Sequence, residues 1–68
     1  MYRVTKEFQY SNRSDFVCEV ETYEEASVNI IKDYPDEIFY IRSWGNVDKN
    51  GEYKDLGSHA FLYKIIKC

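Results

Sequence analysis

Only one stretch of this chain has the period of a helix, and side chains mark both of its ends. Thr22-Tyr-Glu-Glu25 fits a capping box, in which the Thr hydroxyl accepts an orphan backbone N–H and the Glu three residues on reaches back to the cap. Glu24 and Glu25 also lie in the first turn, where the helix dipole favours negative charge. Tyr23, Ala26, Ile30 and Tyr34, with Ser27 and Ile31 beside them, recur at spacings of three and four and form one apolar stripe. Pro35 stops the run, because it disfavours helical backbone at Tyr34 and has no N–H to donate. The spacing predicts a helix of about three turns from Thr22 to Tyr34, and the rest of the chain must be organised around it as strand or loop.

The flanking segments have the period of strands. From Tyr2 to Tyr10, Tyr2, Val4, Phe8 and Tyr10 fall on one face, interrupted only by Lys6, while Arg3, Thr5, Glu7 and Gln9 fall on the other. Ser11 to Asp15 is a polar run whose side chains can bond their own backbone, so it reads as a hairpin loop. Phe16, Cys18 and Val20 then share one face of a second, antiparallel strand. After the helix, Ile38 to Trp44 is the most strand-prone run, apolar on both faces at its start, which predicts a place in the middle of a sheet. Gly45 to Ser58 reads as a long connection centred on the turn signal Asn50-Gly51: either a β-arm with Val47 and Tyr53 paired across it, or a mobile loop. His59 to Lys67 alternates two apolar faces and makes the last strand.

The expected order is β-β-α-β-β. It predicts an α+β domain of two layers, residues 1–68, in which one helix lies on a four-stranded, mainly antiparallel sheet. With 68 residues the chain is near the lower limit at which a hydrophobic core can sustain a fold without disulfides or metals. At 44% hydrophobic and 18% aromatic it has the composition of a folded domain. One short helix covers part of one side only. The other face, fed by Phe39, Ile41, Leu62 and Ile66 or by their alternates, has no chain left to cover it. A homodimer partner, a target protein or a stack of nucleic-acid bases would shield it; otherwise Tyr hydroxyls and the stems of Lys and Arg make it tolerable to water.

Charge divides the molecule. Between Asp15 and Glu37 there are eight acids against Lys32 alone, a local net of −7, while the remainder carries eight bases against four acids, a net of +4. The overall charge is −3, and the acidic side is centred on the helix. Met1 leads directly into strand sequence and no apolar run approaches a signal or membrane span, which points to a cytoplasmic protein, complete as it stands, with no membrane partner. Cys18 and Cys68 stand fifty residues apart without ligand spacing, so two reduced thiols are expected.

No motif for a cofactor, metal or catalytic centre is complete. Asn46-x-Asp48-x-Asn50-Gly51 resembles the front of a calcium-binding EF-hand loop, but Gly57 stands where the bidentate Glu belongs, and a hairpin turn accounts for the same residues. His59, the only histidine, stands beside Ser58 at the start of a strand and reads as a surface or edge residue, since a general base or triad needs a nucleophile and an orienting group that the fold brings to it. Cys68 lies at a fraying end, and capping accounts for Glu24 and Glu25. A non-enzymatic role is expected. Arg3, Arg42, Lys64 and Lys67, interleaved with Phe39 or Phe61, would make a face that stacks single-stranded bases, although the overall charge opposes it.

A short chain that starts straight into a strand, has β-β-α-β-β order, opens its helix with T-Y-E-E-A (Thr22 to Ala26) and is rich in Tyr resembles the small early proteins of bacteriophages and mobile elements, anti-CRISPR inhibitors and host-takeover factors among them. The likeness is one of build over the whole chain and carries no motif residue across. It implies stoichiometric binding to a larger host or defence complex, a nucleic-acid-binding groove among the places it could dock, within a bacterial cytoplasm. The expectation is therefore a non-catalytic binding protein, with a single-stranded nucleic-acid-binding module and a structural homodimer as the alternatives. Contact residues for a protein partner are expected among Glu19, Glu21, Glu24, Glu25 and Asp33 on the acidic side, Phe39 and Ile41 on the open face, and Asn50 and Tyr53 on the arm.

Overall fold

The computed structural model describes all of residues 1–68. Its elements run β1 (Tyr2–Phe8), β2 (Ser14–Val20), α1 (Tyr23–Asp33), β3 (Arg42–Asn46), β4 (Gly51–Asp55) and β5 (Phe61–Lys67). The fold is α+β as expected, but the sheet has five strands instead of four, in the order β2-β1-β5-β4-β3, and every pairing is antiparallel. The additional strand comes from the Gly45 to Ser58 segment. That segment forms the β-arm alternative, with Asn46 opposite Gly51 and Trp44 opposite Tyr53. Val47 lies in the turn and does not face Tyr53, because Asn46 turns the chain first: its carbonyl accepts from the Lys49 N–H at 3.1 Å and its side-chain oxygen from the Asp48 N–H at 2.8 Å.

The helix forms where its caps place it. The Thr22 hydroxyl oxygen accepts from the Glu25 N–H at 3.1 Å and donates to the Glu25 carboxylate, a reciprocal cap made through the hydroxyl itself. At the other end the Tyr34 N–H still reaches the Ile30 carbonyl, and the backbone then turns extended before Pro35. Ala26 and Ile30 are buried, with Tyr23 and Tyr34 half-buried at either end of the stripe, whereas Ile31 is half exposed beyond its margin. The helix lies on β2 and β1. Ala26 and Ile30 meet Val4, Tyr63, Ile65 and Leu56 there in one core of six buried residues.

Two expectations fail for reasons outside any single element. Ile38 to Trp44 does not form a central strand: β3 starts only at Arg42 and lies at the edge of the sheet. After α1 the chain has to travel from above β1 and β2 to the opposite edge, and residues 34–41 are used up on that path. Tyr34 packs edge-on against Phe61, and Ile38 rests on the core, leaving Phe39, Tyr40 and Ile41 exposed. Phe16 is the second case. A bulge shifts the β1–β2 register between Val4 and Thr5, so that Val4 faces Cys18 while Thr5 faces Phe16. Cys18 and Val20 stay on the helix side with Val17, and Phe16 turns to the other face, 65% exposed.

Candidate functional site

In an antiparallel sheet, residues directly opposite one another share a face. The strand registers therefore draw one row across all five strands on the side away from the helix: Trp44, Tyr53, Lys64, Thr5 and Phe16. At about 4.8 Å per strand the row is roughly 19 Å long. Arg42 and Asp55 lie to one side of it, as do Leu62, Glu7 and Ser14; Ile66, Arg3 and Glu19 lie to the other. No helix or loop covers this face, and no cavity indents the molecule.

At the β3–β4 end of the row the aromatic rings and cations meet. The rings of Trp44 and Tyr53 stack with centroids 5.9 Å apart at 18°, and a cation lies against each: Arg42 is 5.7 Å from the Trp44 ring and the Lys64 ammonium 5.9 Å from that of Tyr53. Gly51 makes this possible. It is buried with φ +102°, and a Cβ there would stand 2.7 Å from Lys64 Cε and 3.2 Å from its Cγ, so the missing side chain is the slot in which the lysine stem lies.

The acids of the face are held within it. Glu7 accepts hydrogen bonds of 2.6 Å from both Thr5 and Ser14. Burial alone would raise its carboxyl, but those two bonds and the Lys64 charge outweigh it and hold the group below the usual carboxylate range. Glu19 pairs with Arg3 at 3.0 Å. Asp55 accepts the Gly57 N–H and approaches Arg42 at 4.0 Å, with its own side chain only 14% exposed against 69% for the arginine. The face carries aromatic rings and cations, and each of these carboxylates has a partner within the protein.

The expected contact residues do not gather into one surface. Tyr53 is in the row and Glu19 beside it, whereas Glu21, Glu24 and Glu25 are exposed around the start of α1, and Asn50 is in the β3–β4 turn. Phe39 and Ile41 are exposed but precede β3 and are not part of the sheet. Asp33 is a structural group: its Oδ2 accepts from the Tyr63 hydroxyl at 2.8 Å and pairs with Lys6 at 3.0 Å. That contact accounts for the lysine on the apolar face of β1. Burial would raise Asp33, but Lys6 and Tyr63 together depress it, and the Tyr63 phenol is pushed well up by its own burial and by the carboxylate beside it.

Of the basic residues considered for nucleic acid, Arg3, Arg42 and Lys64 do share the open face, whereas Lys67 points to the helix side and approaches Asp48 at 3.8 Å. The aromatics that join them are Trp44 and Tyr53. Phe61 is opposite Phe8 on the helix side, and Phe39 lies outside the sheet. Trp44 and Phe16 were missed as site residues because their faces depend on a hairpin register and a bulge. Asn50-Gly51, two residues that turn a chain, was the available signal for the first.

No three His, Cys, Asp or Glu side chains come together in a way that would hold a metal ion, and the side-chain oxygen of Asn46 is already engaged by its own turn. Cys18 is half-buried and Cys68 exposed, both as free thiols. No helix is long and apolar enough to cross a membrane. Comparison with protein-family models, curated proteins and solved structures finds no match to this chain.

Proposed function

We propose that this is a non-catalytic binding protein that works by stoichiometric contact with a larger protein or complex, an inhibitor or modulator of the kind found among small bacteriophage early proteins, and that its contact surface is the uncovered sheet face. One observation carries the reading: the Trp44–Tyr53 stack stands at one end of a face that also carries Leu62 and Ile66 on β5 and Phe16 at its far edge, with its acids paired or hydrogen-bonded in place. Aromatic residues and arginine are the groups that dominate binding at protein interfaces, and their carboxylate neighbours here need no partner of their own. The acidic helix side remains a solvated surface in this reading.

The test is affinity capture from host lysate with Trp44→Ala and Tyr53→Ala beside a Glu21→Lys/Glu24→Lys variant, each first shown by circular dichroism to be folded at the capture temperature. The aromatic variants are expected to lose the partner and the charge-reversed one to keep it. The opposite pattern would move the contact surface to the helix and end the sheet-face reading.

A second reading rests on the cations lying against the two rings. A single-stranded nucleic acid could stack a base on Trp44 while Arg42 and Lys64 meet its phosphates. The net charge of −3 weighs against it. Trp44 is the only tryptophan, so its fluorescence reports this directly. Quenching by an oligonucleotide that weakens steeply with salt and disappears in Arg42→Ala would favour nucleic acid over protein.

A further inference from the structure

The two edges of the sheet are not alike. β2 is guarded: it is bulged opposite Val4 and Thr5, and it carries Asp15, bonded by Arg13 at 2.8 and 2.9 Å, and Glu19, held by Arg3. Charge and bulges of this kind keep an edge from accepting another strand. β3 shows no register shift against β4, and Arg42 is its only charge. It pairs with β4 on one side only, and all five of its residues are exposed. Immediately before it, Phe39, Tyr40 and Ile41 are exposed as well, Phe39 by 84%. The run Phe39–Trp44 thus has the strongest strand propensity in the chain and no strand on its outer side, a conflict between local preference and fold of the sort that marks functional segments.

We propose that Phe39–Trp44 is the docking edge for an extended segment of the protein partner, which adds beside β3 and sets a carboxylate opposite Arg42. This rests on the protein-partner reading above and says how that partner is held. Main-chain hydrogen bonds to an open edge supply affinity, and alternate side chains supply specificity. Arg42 is the only charge in the run, its head is 69% exposed, and its contact with the recessed Asp55 is long at 4.0 Å. A guanidinium so placed takes a carboxylate through two parallel N–H bonds. Trp44, two residues on and on the same face, takes an apolar side chain spaced two residues from that acid. A second copy of this chain supplies no anion, since the same run brings only another Arg42.

The test uses the full chain and a synthetic ten-residue peptide of alternating Val and Thr with one central Glu. Trp44 fluorescence and amide NMR are followed as it is added. Binding with shifts confined to residues 39–46 is expected. Exchanging Glu for Lys should weaken it about fivefold to tenfold, as expected for cross-strand charge pairs, and Arg42→Glu should reverse that preference. N-methylating every second amide should abolish binding in one register and leave it in the other, because only one set of N–H groups faces the edge. Absence of binding at millimolar peptide, equal binding in both registers, or shifts centred on Lys64 and Phe16 would overturn the proposal. So would concentration-dependent shifts of residues 39–44 in the chain alone, which would assign the edge to a second copy. The assay needs no natural partner, so its failure removes the edge and leaves the sheet-face reading to be judged by its own capture experiment.

Discussion

Replacing Asp33 tests whether the last turn of the helix is anchored by charge or merely ends in an acid. A carboxylate there opposes the helix dipole by about 0.3–1 kcal/mol, so something must hold it. Two donors converge on the same oxygen: the hydroxyl of fully buried Tyr63 at 2.8 Å and the Lys6 ammonium at 3.0 Å. A hydrogen bond to a charged group contributes about 1.5–3 kcal/mol, and the ion pair adds at most ~1 kcal/mol because the Asp33 side chain is 35% exposed. Asp33→Asn keeps an acceptor for Tyr63 but loses the charge, for an expected cost of about 1 kcal/mol after the dipole gain. Asp33→Ala leaves the buried hydroxyl without its partner and should cost about 2–3 kcal/mol. In a domain of this size each kcal/mol lowers the melting temperature by about 4–8 °C. The carboxyl is depressed in the folded state, so its contribution is fully present above the unfolded pKa and fades as pH falls through the lower folded value. Urea unfolding at about pH 7 and about pH 2 should therefore show the wild type's advantage over Asp33→Asn only at the higher pH. An equal difference at both would mean that packing, not charge, sets the cost.

Other substitutions separate scaffold from surface. Gly51→Ala should cost about 1–3 kcal/mol in urea unfolding, since a side chain at φ +102° is strained and displaces the Lys64 stem. Thr22→Ala should cost about 1 kcal/mol of stability, read as melting temperature, and Glu24→Gln close to nothing, because only the former makes the cap. Trp44→Ala, on a 43% exposed side chain at a sheet edge, should lower stability by about 1 kcal/mol or less. Under the proposed function it should weaken partner binding by about 2 kcal/mol or more in titration calorimetry.

What could be read from the chain alone was whatever is decided within a few residues. The cap at Thr22, the stop at Pro35, the first hairpin and the two-faced last strand all follow from neighbours in sequence, and the helix boundaries were found within the uncertainty of where its ends fray. The errors are non-local. Nothing in Ile38–Trp44 says that the chain must first cross to the far edge of the sheet, so a run with central-strand composition lies at the rim. A one-residue bulge in β2 turns Phe16 to the opposite face without changing its alternation. Of the candidate site, an uncovered face was expected from the shortage of chain; of the four bases grouped for it, Arg3, Arg42 and Lys64 share the side away from the helix and Lys67 does not. The aromatic pair at its β3–β4 end depended on a hairpin register that Asn50-Gly51 indicated only in part.

The middle strand of the sheet, β5, is the last of the five in chain order and pairs with β1, the first, and where the two meet the Cys68 N–H bonds to the Met1 carbonyl at 2.9 Å. Val4 in β1 and Tyr63 and Ile65 in β5 supply half of the buried core. The first hairpin with its helix and the later β3–β4 hairpin can each form, yet neither has a complete core until β5 pairs between them. Closure is a long-range, single step with a high loop-entropy cost, which favours slow and all-or-none folding. Losing even a few residues from the end of β5 would unseat the middle of the sheet, not fray its margin.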